Sequence, residues 1–328
     1  MDRNITNLTK FGCCVLIFFH HFFVLEDFAC TWGRIACAVF FFLSSYGICK
    51  SQQKNNYTFI AFFKKRLSRI YIPYVTINLV FIIGGALLLK GLFIIPQYKL
   101  VGHEIGFVDD FSIVTAFYYL IGLLKIDGAM WFIDVLLLSY IFIWLIGKIS
   151  DRRYRIPVIL IVPITLLFLD RICNTHICLW PTDVIGIITG VLFFEYEKEV
   201  GLRIKAKYNL FLLGSIFLFL LCVYLYTTLK DSEMIEWKYM EMLILAYSFF
   251  SICIVLSISL VHKCKYPKVC TFMGGVSFFV YLLHIKVINV LNYYNFVPLL
   301  LYSILFVSIM SIIMYLLDNR IQKALWKK

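Results

Sequence analysis

Charge is what this sequence has least of. Asp, Glu, Lys and Arg make up 15% of its 328 residues, against 62% hydrophobic residues and a mean hydropathy of +0.88. A soluble domain carries about 25% charged and about 45–50% apolar residues, so the material for a water-facing surface is missing. Acid is scarcer still, with 19 Asp and Glu against 31 Lys and Arg. No soluble domain stands apart, because the longest stretch without a clear span, Ile95–Met130, is itself partly apolar. No small-residue cleavage site follows the first apolar run, which ends in Val24-Leu25-Glu26-Asp27. A retained helix is expected there, not a secretory leader. No CxxC pair, no GxSxG nucleophile elbow and no strong internal repeat occurs.

What remains is hydrophobic helix. A spanning helix needs about 20 mostly apolar residues, and ten runs approach that length: Leu8–Leu25, Trp32–Cys49, Ile70–Leu89, Ala129–Gly147, Ile156–Leu169, Asp183–Phe194, Asn209–Leu229, Met242–Val261, Phe272–Leu291 and Val297–Leu317. The fifth and sixth are short and need their flanks to reach the interfaces. Arg34 falls in the first turn of the second run, where it can snorkel to the outer interface. Phe111–Leu124 is apolar but too short for a span, and is expected to be interfacial or re-entrant.

The basic residues sort themselves by side. With the N-terminus inside, the inner loops hold Lys50, Lys54, Lys64, Lys65, Arg66 and Arg69, then Lys148, Arg152, Arg153 and Arg155. Lys198, Arg203, Lys205 and Lys207 follow, then Lys263, Lys265 and Lys268, and last Arg320, Lys323, Lys327 and Lys328. With Arg3 and Lys10 these are 23 of the 31 basic residues, as cytoplasmic loops require. The outer loops hold Glu26, Asp27, Glu104, Asp109, Asp110, Asp231, Glu233 and Glu236. A spanning Phe111–Leu124 would move the Arg152 loop outside and break the alternation. The expected fold is therefore all-α: one polytopic membrane domain over residues 1–328, with about ten transmembrane helices and both termini cytoplasmic. The net charge of +12 reads as membrane topology and not as a nucleic-acid surface.

Most of the eleven cysteines, among them Cys13, Cys14, Cys37, Cys49, Cys222 and Cys253, lie inside apolar runs and serve as small hydrophobes. Cys173 and Cys178 flank His176 in a connecting loop. A disulfide there requires an oxidising side, and a zinc site requires two more ligands, so no metal is expected.

Ionisable residues within apolar runs are costly and therefore point to function. Lys10 and His21 are eleven residues apart, about 1100° of helical turn, so they share one face about 16 Å apart. Their bland explanation is a snorkelling lysine and a histidine satisfied by a neighbouring helix. Arg66 and Arg69, also on one face, lead into the third run, and Arg is the better residue for gripping phosphate bidentately. Anchoring of topology explains each charge singly. Trp131 and Asp134 open the fourth run; the Trp suits an interface, whereas the carboxylate wants a partner such as His or Lys. Ser277-Phe-Phe-Val-Tyr281-Leu-Leu-His284-Ile-Lys286 places a second histidine near mid-membrane, at a depth overlapping that of His21.

In this order the groups resemble the transmembrane acyltransferase family 3, the bacterial membrane O-acyltransferases of surface glycans. The family pattern opens with a basic residue, ten residues and a His, matched by Lys10 and His21; many members have Arg in the first position. Phe40-Phe41-Phe42-Leu43-Ser44 resembles the second-helix signature, with Ser45 where Gly is usual. Arg66, Arg69, Pro73 and Tyr74 match the basic approach to the third helix. Trp131, Phe132 and Tyr140 match the central helix, and Ser277, Tyr281, Leu282 and His284 the late one.

The resemblance implies transfer of an acyl group, usually acetyl, from cytoplasmic acyl-CoA to a hydroxyl of a cell-surface or lipid-linked glycan at the bacterial cytoplasmic membrane. Acetyl-CoA is then a donor and no permanently bound cofactor is expected. His21, His284 and Lys10 become the catalytic candidates, Arg66 and Arg69 the donor-phosphate ligands, and Asp134, Trp131, Ser44 and Tyr281 further members of the site. A histidine can serve as general base towards a sugar hydroxyl or carry the acyl group itself. Asp134 can orient an imidazole as carboxylates do in hydrolase triads, a role the family pattern does not supply. The rival reading is a transporter or flippase for a glycan lipid that uses the same buried charges as a path.

Overall fold

The computed structural model describes residues 1–23, 29–55, 58–88, 92–94, 106–108, 113–121, 130–173, 179–230 and 237–325. Among them are twelve helices: α1 (Arg3–Phe22), α2 (Ala29–Asn55), α3 (Phe59–Leu88), α4 (Ile113–Ile121), α5 (Trp131–Ile146), α6 (Arg152–Cys173), α7 (Pro181–Glu195), α8 (Glu197–Ala206), α9 (Tyr208–Leu229), α10 (Trp237–Val261), α11 (Pro267–Tyr293) and α12 (Leu299–Leu325). One short antiparallel ladder interrupts them, where β1 (Leu92–Ile94) pairs with β2 (Gly106–Val108) and Phe93 stands opposite Phe107.

A helix lies on each of the ten apolar runs. Six contain a stretch long and apolar enough to cross a membrane: Thr31–Lys54, Phe59–Gly84, Tyr208–Leu229, Tyr239–Val261, Pro267–Asn292 and Leu299–Ala324. The apolar α5 is shorter, at 16 residues. With 9 residues, α4 rises about 13.5 Å, less than half the hydrocarbon thickness. The outer-loop acids Glu26, Asp27, Glu104, Asp109, Asp110, Asp231, Glu233 and Glu236 fall outside the described residues. So do His176, Cys178 and the side chain of Cys173.

The chain divides into two compact units. The first comprises Met1–Ile17, Asp27–Asn56 and Asp134–Gly274, and its centre is the packing of α2 on α7. Glycine makes that packing close. A Cβ at Gly186 would stand 2.4 Å from the Ala38 carbonyl oxygen, and one at Gly190 2.5 Å from that of Phe42. Two glycines four apart on one helix face let backbones approach within membranes, where packing replaces the hydrophobic drive between helices. At the other extreme α9 exposes Leu210, Leu213, Phe217, Leu220 and Tyr224, the surface of a helix facing lipid.

The segment after α7, expected to be only a loop, forms α8. Glu197 and Glu199 stand in its first turn and Arg203 and Lys205 in its last, each complementing the helix dipole. Glu197 accepts a 2.5 Å hydrogen bond from Tyr46 Oη and pairs at 2.5 Å with Lys50, tying α8 to α2. Arg155 pairs with Glu195 at 2.7 Å, while Arg152 donates to the Glu195 carbonyl and lies 3.9 Å over the Tyr196 ring. These arginines hold α6 against the end of α7.

The second unit comprises Phe18–Glu26, Tyr57–Ile133 and Gly275–Lys328. Here α3 presents Tyr71, Tyr74 and Asn78 on one face, and all three donate to the end of α4. Tyr74 and Asn78 reach the Tyr119 carbonyl at 3.3 and 3.4 Å, and Tyr71 reaches that of Leu120 at 3.4 Å. The last carbonyls of a helix lack partners of their own, so this stripe satisfies the end of a helix too short to span. On α11, Gly275 meets the ring of Tyr315 from α12.

Candidate active site

Four elements of the second unit bring functional side chains: the end of α1, the first turn of α5, the part of α11 from Gly275 onward, and α3. His21 is 8% exposed and His284 1%, and their ring centroids are 5.0 Å apart with planes inclined at 37°. The ring of His20, half-buried, lies 4.8 Å from that of His21. Three imidazoles thus stand in sequence, two of them buried.

The helix itself fixes one tautomer. His284 Nδ1 is 2.5 Å from the carbonyl oxygen of Tyr281, one turn earlier on α11. A carbonyl only accepts, so Nδ1 carries the hydrogen, and the neutral ring has its lone pair on Nε2. Among the described residues His21 Nδ1 has no hydrogen-bond partner. Tyr281 is buried, with Phe132 packed 4.8 Å from its ring centroid and the His284 ring at 5.7 Å. Trp131 stands edge-on to Phe132 at 6.1 Å. The aromatic pair from α5 therefore backs the Tyr281–His284 turn and limits its freedom.

Arg66 and Arg69 lie one turn apart on α3. Arg66 is half-buried, with its guanidinium 5.7 Å over the ring of Phe62, and Arg69 is exposed. Gln322 of α12 donates to the Ser68 carbonyl at 3.0 Å and to Asp318 Oδ1 at 3.2 Å.

The structure therefore gathers His21, His284, Tyr281, Trp131, Arg66 and Arg69 into one unit. Lys10, Ser44 and Asp134 belong to the other. There Lys10 Nζ lies 5.7 Å over the Phe40 ring, Ser44 is buried on α2, and Asp134 occupies the first turn of α5. Lys286, not among the candidates expected from the sequence, is only 3% exposed. Its Nζ donates to the Leu282 carbonyl at 3.3 Å. A lysine inside an apolar run was the available signal.

Comparison with known proteins meets this geometry from outside. The family model described as "Acyltransferase domain" (Acyl_transf_3) matches residues 5–318, nearly the whole chain. No curated protein and no solved structure gives a significant match. The chain belongs to this acyltransferase family, and its apolar helices make it a membrane acyltransferase.

Proposed function

We propose that this acyltransferase moves an acetyl group from cytoplasmic acetyl-CoA to a hydroxyl of a cell-surface or lipid-linked glycan at the bacterial cytoplasmic membrane. The observation that carries the reading is the contact of two buried imidazoles, 5.0 Å between centroids, one with its tautomer fixed by a backbone carbonyl. Packing does not call for two histidines in one apolar environment, since a buried nitrogen without a partner costs about 1–3 kcal/mol. Acyl transfer to a hydroxyl does call for them. A hydroxyl is a poor nucleophile until a base takes its proton, and the leaving thiolate needs one returned.

In this scheme His284 Nε2, the basic nitrogen of its tautomer, accepts the hydroxyl proton as the oxygen attacks the thioester carbonyl. The C–S bond then breaks and coenzyme A leaves as a thiol, taking a proton from the histidine pair. A relay, in which His21 first carries the acetyl group and then yields it to the hydroxyl, uses the same two rings. Arg66 and Arg69 hold the donor's phosphates. Lys10 stands eleven residues before His21 on α1, on the donor's side when all ten apolar helices span and both termini are cytoplasmic.

The experiment supplies acetyl-CoA labelled in the acetyl group to membranes containing the chain and follows label into glycan. Label should appear with the wild type and vanish with His21→Ala at equal expression. A transporter would leave the donor intact, so a wild type that consumes no acetyl-CoA refutes the assignment.

A further inference from the structure

The basic residues of the first unit fall into two sets. Some pack inward on partners: Lys50 pairs with Glu197 and Arg155 with Glu195, while Arg152 covers the Tyr196 ring and Lys148 stands 5.0 Å over that of Trp144. The second set is exposed. On α8 it comprises Lys198, Arg203 and Lys205, with Lys207 at the junction with α9. Lys263, Lys265 and Lys268 continue it from the end of α10 into α11. None of these forms an ion pair among the described residues. Two contacts draw them into one patch. Tyr208 Oη and His262 Nε2 are hydrogen-bonded at 2.9 Å, with Lys207 and Lys263 their neighbours in the chain. Gly201 of α8 faces the Leu260 side chain of α10, which a Cβ would meet at 3.8 Å, an ordinary contact.

The patch lies where the apolar stretch Tyr208–Leu229 begins, Tyr239–Val261 ends and Pro267–Asn292 begins, which is headgroup level on whichever side of the bilayer holds it. Helical spacing sorts α8 into stripes. Glu197, Gly201 and Ile204 form one, and Gly201 and Ile204 are buried. Lys198, Leu202 and Lys205 form the next, with Leu202 69% exposed between two lysines. Such a stripe suits an interfacial helix whose leucine dips towards the acyl chains while the lysines reach up to phosphates. Tyr266 and Val269, also exposed, repeat the mixture beside Lys265 and Lys268. The acid that opposes them is Glu199, exposed on α8 four residues before Arg203. Orientation by positive loops explains the sign of the patch. It explains neither the exposed apolar side chains nor why these bases are unpaired while others nearby have partners.

We infer that this patch is a docking surface for anionic phospholipid, holding lipid phosphates at the ends of α9, α10 and α11. Clusters of about four to eight Lys and Arg beside spans or on an amphipathic helix bind anionic headgroups, each base contributing about 5-fold in affinity. A soluble polyphosphate would use the bases but leave Leu202, Tyr266 and Val269 without a role, so the surface fits lipid better. The inference does not depend on the acyl-transfer reading.

The test titrates the full chain, purified in a neutral detergent, with phosphatidylglycerol and separately with phosphatidylcholine, and counts bound lipid by native mass spectrometry. Wild type should prefer phosphatidylglycerol. Lys205→Gln and Lys265→Gln should each lower that affinity about 5-fold, and joint replacement of Lys263, Lys265 and Lys268 by Gln should nearly abolish the preference. Glu199→Gln removes no base and should tighten binding by up to about 5-fold. Topology anchoring does not predict that gain, and the variant keeps the inference refutable should the triple variant fail to insert. Equal affinity of the wild type for both lipids, or a preference indifferent to the lysines and to Glu199, overturns the docking surface. Inorganic pyrophosphate at equal concentration should displace little lipid; full displacement assigns the patch to soluble anions and overturns the lipid assignment.

Discussion

Replacing Gly186 by alanine should destabilise the protein, and the structure sets the scale. The added carbon would sit 2.4 Å from the Ala38 carbonyl oxygen and 3.0 Å from Phe41 Cβ, where ordinary contact begins at 3.4 Å. The obstacle is backbone, so no side-chain rotation relieves it, and α7 must retreat from α2 by about 1 Å. Overpacking of this kind costs about 1–3 kcal/mol. Alanine also favours helix over glycine by about 1 kcal/mol, so the net loss is about 0–2 kcal/mol. The control removes the propensity gain. Gly214 on α9 has nothing within 4 Å of its would-be Cβ, so Gly214→Ala should gain about 1 kcal/mol in full. Thermal unfolding in detergent, followed by intrinsic fluorescence, should place Gly214→Ala above wild type. Gly186→Ala should fall below Gly214→Ala by the whole overpacking cost, a gap of several degrees at about 2–4 °C per kcal/mol. Gly190, 2.5 Å from the Phe42 carbonyl oxygen, should behave like Gly186. Equal melting of Gly186→Ala and Gly214→Ala would refute the close approach of α2 and α7.

His20→Ala should cost far less acetyl transfer than His21→Ala, because the neighbouring residue projects about 100° away; the loss at His21 should be on the order of 100- to 10,000-fold. Equal losses in the labelling assay would leave both rings only a packing role. Arg66→Ala and Arg69→Ala should each raise the acetyl-CoA concentration needed for half-maximal transfer, and Lys in either place should restore only part, since a point charge replaces a fork. Unaltered donor dependence would reduce both to topology anchors. Glu197 supplies a pH test. Burial alone would raise its carboxyl, but the hydrogen bonds from Lys50 and Tyr46 outweigh this and hold it below the usual 4.5. A depressed folded value contributes stability above pH 4.5 that disappears as pH falls through that value. Glu197→Gln should therefore melt below wild type at neutral pH, with the two curves converging under acid. A gap that persists at low pH excludes the ionised carboxylate as its source.

The placement of helices was legible because a run of apolar residues leaves the chain few choices: in lipid every backbone group must bond within its own helix. What escaped were features that depend on a partner. Gly186 and Gly190 read as two ordinary glycines until α2 lies against them, although their spacing of four is itself a packing signal. The stripe of Tyr71, Tyr74 and Asn78 has no meaning without the end of α4. The residues from Glu197 to Ala206 looked like a loop because their charges drew attention to topology. The same charges, acids first and bases last, are what a short helix at a membrane surface requires.

The candidate site divides along the same line, and the dividing variable is dielectric. A histidine within an apolar run is expensive, so His21 and His284 were conspicuous in the sequence, and the structure brings their rings into contact. The same reasoning applies to Lys286, a lysine inside an apolar run that is only 3% exposed. At the helix ends, away from the apolar interior, charge is cheap and abundant, and each residue there has a topological explanation ready. Arg66 and Arg69 emerged from that background only through their shared face and the family pattern. Asp318, the last residue of the matched region, did not emerge at all, because one acid at a helix end is unremarkable until Gln322 bonds both its carboxylate and the Ser68 carbonyl. In a membrane enzyme the sequence thus exposes groups that work inside the bilayer and conceals those that work at its surface.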